Sequence, residues 1–233
     1  VAYFSRGLGF LSFLAITINS GIRPVVAPFL AKKQREGHNL EQPYLNASLL
    51  LGGLVVPVLA VAGYASDPVI DLFFGEQWST SASLVSILCF WSIIRFFHTL
   101  NPALFITAGF EKILFYKELF IFLITGIVIY ILYSDNLHDM AYGMILTAAI
   151  DFFLISFLLQ MKFNIAIYKQ IRNVFPNIFL ACICVLWTYL LDQFVPFESS
   201  PSWLVIAVLA PTTGIVWFTS VFLTKHPLAK ELK

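Results

Sequence analysis

A chain of 233 residues that is 59% hydrophobic and only 12% charged, with 24 Phe and a mean hydropathy of +0.85, lies far from a soluble composition, in which about 25% is charged. A soluble fold of this size cannot bury that much apolar surface and still show water a polar face. Disulfide scaffolds, disordered tails and nucleic-acid binders need compositions that are absent here. The composition is that of an integral membrane protein, with room for seven helices of about 21 residues, roughly 147 in all. The chain begins at Val1 and not at Met, which reads as a processed chain or a piece of a longer one.

Apolar runs separated by short polar breaks fall at about 8–30, 45–66, 82–107, 119–134, 141–161, 174–195 and 203–224. No dyad alternation of the barrel type is visible, so the runs predict an all-α bundle of about seven transmembrane helices. The fourth run is short, beginning after Lys117 and Glu118, and needs support from charge. Of the 14 Lys and Arg, alternate breaks place Lys32, Lys33, Arg35, Lys112, Lys117, Lys162, Lys169, Arg172, Lys225, Lys230 and Lys233 on one side. Arg6 alone falls on the other, while Arg23 and Arg95 lie inside spans. This bias requires the fourth span and predicts an external N-terminus and a cytoplasmic C-terminus. The acids Asp67, Asp71, Glu76, Asp135, Asp139, Asp192 and Glu198 fall outside. Tyr64, Trp78, Tyr133, Tyr142 and Trp203 flank the outer ends, and Tyr44, Tyr116 and Tyr168 the inner ones.

The basic stretch 162–174, with Phe163, Ile167 and Ile171 at i, i+4 and i+8, reads either as an interfacial helix or as a loop. No break exceeds about 15 residues, so the chain has no room for an extramembrane catalytic domain and is expected not to be an enzyme. Cys89, Cys182 and Cys184 all sit in spans, and an i, i+2 pair points to different helix faces, so they read as small apolar residues. No glycine loop for nucleotide and no zinc-ligand pair is visible; no cofactor or metal is expected.

An ionisable group inside a span costs about 2.5–3.5 kcal/mol on insertion scales and invites a functional reading. Arg23 lies in the first span with Asn19 and Ser12 on its face. Arg95 is central in the third, and Ser92, His98 and Thr99 extend it into a polar stripe. Asp151 is mid-span in the fifth, with Thr147 one turn back. These groups suit a water-filled cavity that attracts an anionic substrate, with Asp151 or His98 as a proton-coupling group. The competing reading is an Arg–Asp pair that only joins helices, or an Arg snorkelling to the interface. Pro24, Pro28, Pro57, Pro102 and Pro211 add candidate kinks around that cavity.

Several passages then resemble a known family. Tyr3-Phe4-Ser5-Arg6-Gly7 precedes the first span, which ends in Arg23-Pro24-Val25-Val26-Ala27-Pro28-Phe29-Leu30-Ala31, a basic loop, and Leu40 to Ala47 with Tyr44. Asp67-Pro68-Val69-Ile70-Asp71-Leu72-Phe73-Phe74-Gly75-Glu76-Gln77-Trp78 follows, then Ala82 to Leu88, then Ala108-Gly109-Phe110-Glu111-Lys112. Their order and spacing resemble the polysaccharide transporters (Wzx-like O-antigen and lipopolysaccharide flippases) of the MOP superfamily of MATE-like exporters. The resemblance covers about residues 1–120, and Pro28-Phe29-Leu30-Ala31-Lys32 lacks the family's common Ser.

The resemblance implies that residues 1–233 are the C-terminal transmembrane lobe of a MATE-like flippase fold, with the N-terminal lobe absent. It implies export of undecaprenyl-pyrophosphate-linked sugar repeat units across the bacterial inner membrane by alternating access. Arg23, Arg95, His98 and Asn19 would then meet the pyrophosphate or sugar, and Asp151 would be the ion-coupling candidate. The implied partners are the lipid-linked oligosaccharide, membrane lipids, a polysaccharide polymerase and glycosyltransferases, with no nucleic acid. A multidrug or cation antiporter of the same superfamily is the alternative; it would favour an acid-rich cavity, and this chain has one intramembrane acid against two arginines. Asn101-Pro102-Ala103-Leu104-Phe105 mimics a receptor motif but lies in the third span, which disfavours a seven-helix receptor. A polysaccharide polymerase would need a longer outer loop than Asp67 to Ser81.

Overall fold

The computed structural model describes residues 2–132, 136–197 and 199–232, with the side chains of 17–20 and 22–24 outside the description. Tyr133, Asp135 and Glu198, assigned above to the outer side, lie outside the described residues, as do the side chains of Asn19, Arg23 and Pro24. In chain order the helices are α1 (Ala2–Arg35), α2 (Glu41–Tyr64), α3 (Ser66–Phe74), α4 (Thr80–Phe96), α5 (Asn101–Thr107), α6 (Glu111–Leu132), α7 (Leu137–Phe163), α8 (Ile167–Phe194), α9 (Ser202–Leu223) and α10 (Leu228–Glu231). A single 3-10 turn, Glu76–Trp78, separates α3 from α4. Among the described residues there is no strand, and the chain is an all-α membrane bundle.

Among the described residues six segments are long and apolar enough to cross a membrane: α2, α4 with α5, α6, α7, α8 and α9. The first sequence run lies within α1, whose described apolar stretch, Ala2–Ile16, is shorter than a span. The fourth run is corrected at its start. Its helix begins at Glu111 and not near Leu119, so Lys112, Lys117 and Glu118 belong to the helix and no longer to the preceding break. The basic stretch 162–174 is not a simple loop. α7 continues to Phe163, Asn164 stops it in a left-handed conformation with φ 56°, and α8 resumes at Ile167.

The third run is broken. α4 ends at Phe96, the chain makes tight i→i+3 turns through 97–100, and α5 restarts at Asn101-Pro102. Pro102 has no N–H for the carbonyl one turn back and so favours a restart at that point. Of the candidate kinks, only Pro102 sits at such a break; Pro57 and Pro211 lie inside continuous helices. The buried Tyr44 hydroxyl on α2 donates to Asn101 Oδ1 at 2.6 Å, tying the restart to a neighbouring helix.

Two apolar clusters flank this break. One gathers Phe4, Phe10 and Leu11 of α1, Val55 and Leu59 of α2, and Leu84, Val85 and Leu88 of α4. The other gathers Leu30, Tyr44, Leu45, Leu104, Phe105, Ile155, Leu159 and Ile165. α6 stands apart. It packs mainly on α7, and Phe122 (74% exposed) and Tyr130 (86%) face outward, as a lipid-facing helix requires.

α2 packs most closely on α8, where Gly52 carries no side chain, and Gly53 gives similar room to the segment after α9. A Cβ on Gly52 would lie 2.0 Å from Asn177 Nδ2, and one on Gly53 would lie 2.7 Å from His226 Cε1. The space is filled by a polar knot: the Trp217 indole donates to the Gly53 carbonyl at 2.8 Å, and His226 Nε2 meets Asn177 Oδ1 at 3.1 Å. The Leu228 N–H donates to His226 Nδ1 at 3.2 Å, so in this arrangement Nε2 carries the proton and donates to Asn177.

Burial holds the His226 ring, which follows the last span, below its ordinary value of 6.5. In the window beneath pH 6.5 the unfolded chain binds a proton that the folded chain refuses. Stability therefore falls as pH drops through that window, by at most about 1.4 kcal/mol per pH unit. Thermal unfolding in detergent between pH 8 and 5 should show this decline, and His226→Gln should flatten it.

Candidate functional site

A cavity of about 360 Å3 opens at the helix break, beside the first apolar cluster. Leu8, Leu11, Ser12, Leu14 and Ala15 of α1 form one wall, and Val55 and Leu59 of α2 a second. Trp91, Ser92, Arg95 and Phe96 come from α4, and His98, Thr99, Asn101 and Pro102 from the break. Lys117 and Glu118 of α6 and Asp151 of α7 complete it. A break in a spanning helix is tolerated where it lines such a cavity, because polar groups there can be met by water or ligand.

Three of the five residues singled out from sequence meet here: Arg95, His98 and Asp151. The side chains of Arg23 and Asn19 lie outside the described residues. The stripe around Arg95 is not on one continuous helix, since α4 stops at Phe96 and His98 and Thr99 belong to the turn. The turn, and not helical periodicity, turns them toward the same space.

Arg95 projects its guanidinium over the Trp91 ring, 4.9 Å from the centroid, and among the described residues no carboxylate pairs with it. The His98 ring packs on Phe152 with centroids 4.7 Å apart. Both of its nitrogens are buried without a hydrogen-bond partner among the described residues.

The group that sequence reasoning missed is Lys117. Alternate breaks put it among the inner charges, yet its side chain is 6% exposed and its ammonium lies 2.8 Å from Asp151 Oδ1 and 2.7 Å from Glu118 Oε1. Asp151, for which an arginine partner was weighed, is paired with a lysine of the adjacent helix instead. The signal available in sequence was the apolar stretch Ile113 to Tyr116 ahead of Lys117, which extends the fourth run backward by two turns. The cavity's charge is accordingly mixed. Two carboxylates face two cations, where the sequence suggested arginines opposed by one acid.

His/Cys/Asp/Glu groupings able to hold a metal are absent among the described residues. Cys184 is buried and Cys182 exposed, in keeping with their opposite faces.

Residues 1–83 match the model of a family described as polysaccharide biosynthesis protein. No match is found among curated proteins, and none among solved structures. The matched stretch runs from α1 to the start of α4 and contributes the α1 and α2 walls of the cavity; the residues from Trp91 onward lie beyond it. Over that stretch the chain is similar to the polysaccharide biosynthesis family.

Removing one partner of the central ion pair should leave a charge stranded among helices. Lys117→Met is expected to destabilise the folded protein by about 3–5 kcal/mol in detergent unfolding, and adding Asp151→Asn should recover much of that loss. Equal losses in the single and double variants would mean that the two groups do not depend on each other.

Proposed function

We propose that this chain is part of a transporter that flips a lipid-linked oligosaccharide across a membrane by alternating access. The observation that carries this reading is a polar, charged cavity among apolar spanning helices, at a discontinuous helix that supplies Arg95 and His98. The similarity of residues 1–83 to a polysaccharide biosynthesis family supports the same substrate class.

On this reading the substrate is an undecaprenyl-pyrophosphate-linked repeat unit and the membrane is the bacterial inner membrane, with the C-terminus cytoplasmic. Arg95 donates hydrogen bonds to the polar head, with His98 beside it and Arg23 and Asn19 of α1 as further contacts. The hydrocarbon tail stays in the bilayer while the sugar crosses. Asp151, held by Lys117, is the group through which an ion gradient acts on the cavity. No bond of the substrate is made or broken, so the protein is a carrier and not an enzyme.

The two carboxylates of the cavity favour a second reading, a cation or drug antiporter of related architecture. Complementation separates the two. In a strain lacking its own flippase, Arg95→Ala should lower surface polysaccharide about tenfold or more at unchanged membrane level, because Arg95 is exposed, lines the cavity, and among the described residues has no carboxylate partner. Full restoration by that variant would sink the assignment of Arg95 to the substrate, and drug resistance without a polysaccharide phenotype would favour the antiporter.

A further inference from the structure

We infer that the turn between α7 and α8 is a binding surface for the headgroup of an anionic phospholipid. Arg172 holds the phosphate at the edge of the bilayer, and Lys162 adds charge beside it. Both residues lie outside the cavity and outside the matched residues 1–83, and the site does not depend on the transporter reading.

Periodicity separates the two faces of α8. Lys169, Asn173 and Asn177, at i, i+4 and i+8, turn toward the bundle. Lys169 pairs with Glu41, Asn173 Nδ2 donates to the Leu45 carbonyl at 2.8 Å, and Asn177 meets His226. On the other side Tyr168, Ile171, Phe175, Ile178 and Phe179 form an exposed apolar stripe, which on a spanning helix meets lipid. Arg172 is exposed within that stripe, one turn after Tyr168 and just before Phe175.

Helix rise sets the depth. Asp192, near the far end of α8, lies 20 residues beyond Arg172, about 30 Å along the axis and equal to the thickness of the hydrocarbon core. The Tyr64 hydroxyl donates to Asp192 at 3.1 Å, an aromatic and an acid together at one interface. Arg172 then stands at the opposite interface, at the level of the lipid phosphates, with Tyr168 in the headgroup layer beyond it.

Charge fixes the class of lipid. Between Asp151 and Asp192 the chain carries Lys162, Lys169 and Arg172 and no acid. Glu41 neutralises Lys169, whereas among the described residues no carboxylate pairs with Lys162 or Arg172. Lys162 is exposed, with its ammonium 5.4 Å from the centroid of the Phe110 ring. The turn thus brings one uncompensated cation from each helix to the same edge of the bilayer. A zwitterionic headgroup cancels its phosphate with its own ammonium, but an anionic one keeps a net negative charge for these cations. The guanidinium of Arg172 can also fork onto two phosphate oxygens, which a lysine cannot.

The test is native mass spectrometry of the protein released from nanodiscs of mixed phosphatidylglycerol and phosphatidylcholine. The unaltered protein should retain phosphatidylglycerol in preference to phosphatidylcholine. Arg172→Gln should lower that preference about fivefold, and Arg172→Lys, which keeps the charge and loses the fork, by less. Lys230→Gln removes an exposed cation on α10 and should leave the preference unchanged. Thermal unfolding in phosphatidylcholine alone checks that each variant is folded. Phosphatidylglycerol should raise the unfolding midpoint of the unaltered protein and not that of the variant carrying both Lys162→Gln and Arg172→Gln. Equal retention of the two lipids by the unaltered protein, as when another protein segment covers this face of α8, would overturn the site. So would an equal loss of preference in Lys230→Gln and Arg172→Gln. Complementation by Arg95→Ala reports on the cavity alone, so the lipid site and the transporter reading fail separately.

Discussion

An ammonium group inside an apolar bundle must be met by opposite charge, and Lys117 is met by two carboxylates. Much of the interior arrangement follows from that requirement. The pair joins α6 to α7 at the depth of the helix break, on a helix whose remaining surface faces outward. It removes one cation from the cavity's free charge and leaves Arg95 as the described guanidinium available to a ligand. It also places Asp151 beside a space in which another charge would be felt strongly.

The break between α4 and α5 is the second constraint, and it depends on neighbours. Unpaired backbone groups in a membrane span are tolerable only where protein or water meets them. Here the turn carries its own i→i+3 bonds, Tyr44 fixes Asn101 from α2, and the cavity lies alongside. Leu11, Val55 and Leu59 of the first apolar cluster wall the space, so a polar pocket survives in a chain that is 59% hydrophobic. The Gly52–Gly53 contact with Asn177 and His226 plays a comparable part away from the cavity, letting α2, α8 and the segment after α9 share one set of hydrogen bonds.

Much of the fold was legible in the residues because bilayer thickness converts apolar run length into helices directly. Five of the runs reappear as α2, α4 with α5, α7, α8 and α9 with shifts of a few residues at their ends. The start of α6 was misplaced because a charged pair, Lys117-Glu118, looks like the edge of a span. Hydropathy has no means of knowing that a lysine is neutralised by an aspartate 34 residues away. Arg95, His98 and Asp151 were found by the same rule that misled at Lys117, since an ionisable residue well inside an apolar run is conspicuous. Tyr44 and Trp91 carried no such mark, because aromatic residues are common throughout this chain.

The sequence by itself determined that this is a multi-helix membrane chain, where most of its spans fall, and which buried ionisable groups stand out. Those are local properties, written in run length and in the cost of charge in lipid. Tertiary structure alone decided that Lys117 pairs with Asp151, that the third span breaks beside Arg95, and that the cavity's described charges cancel. Each of these depends on which helix faces touch, and a pairing between α6 and α7 or a contact from Tyr44 to Asn101 exists only once the helices have packed.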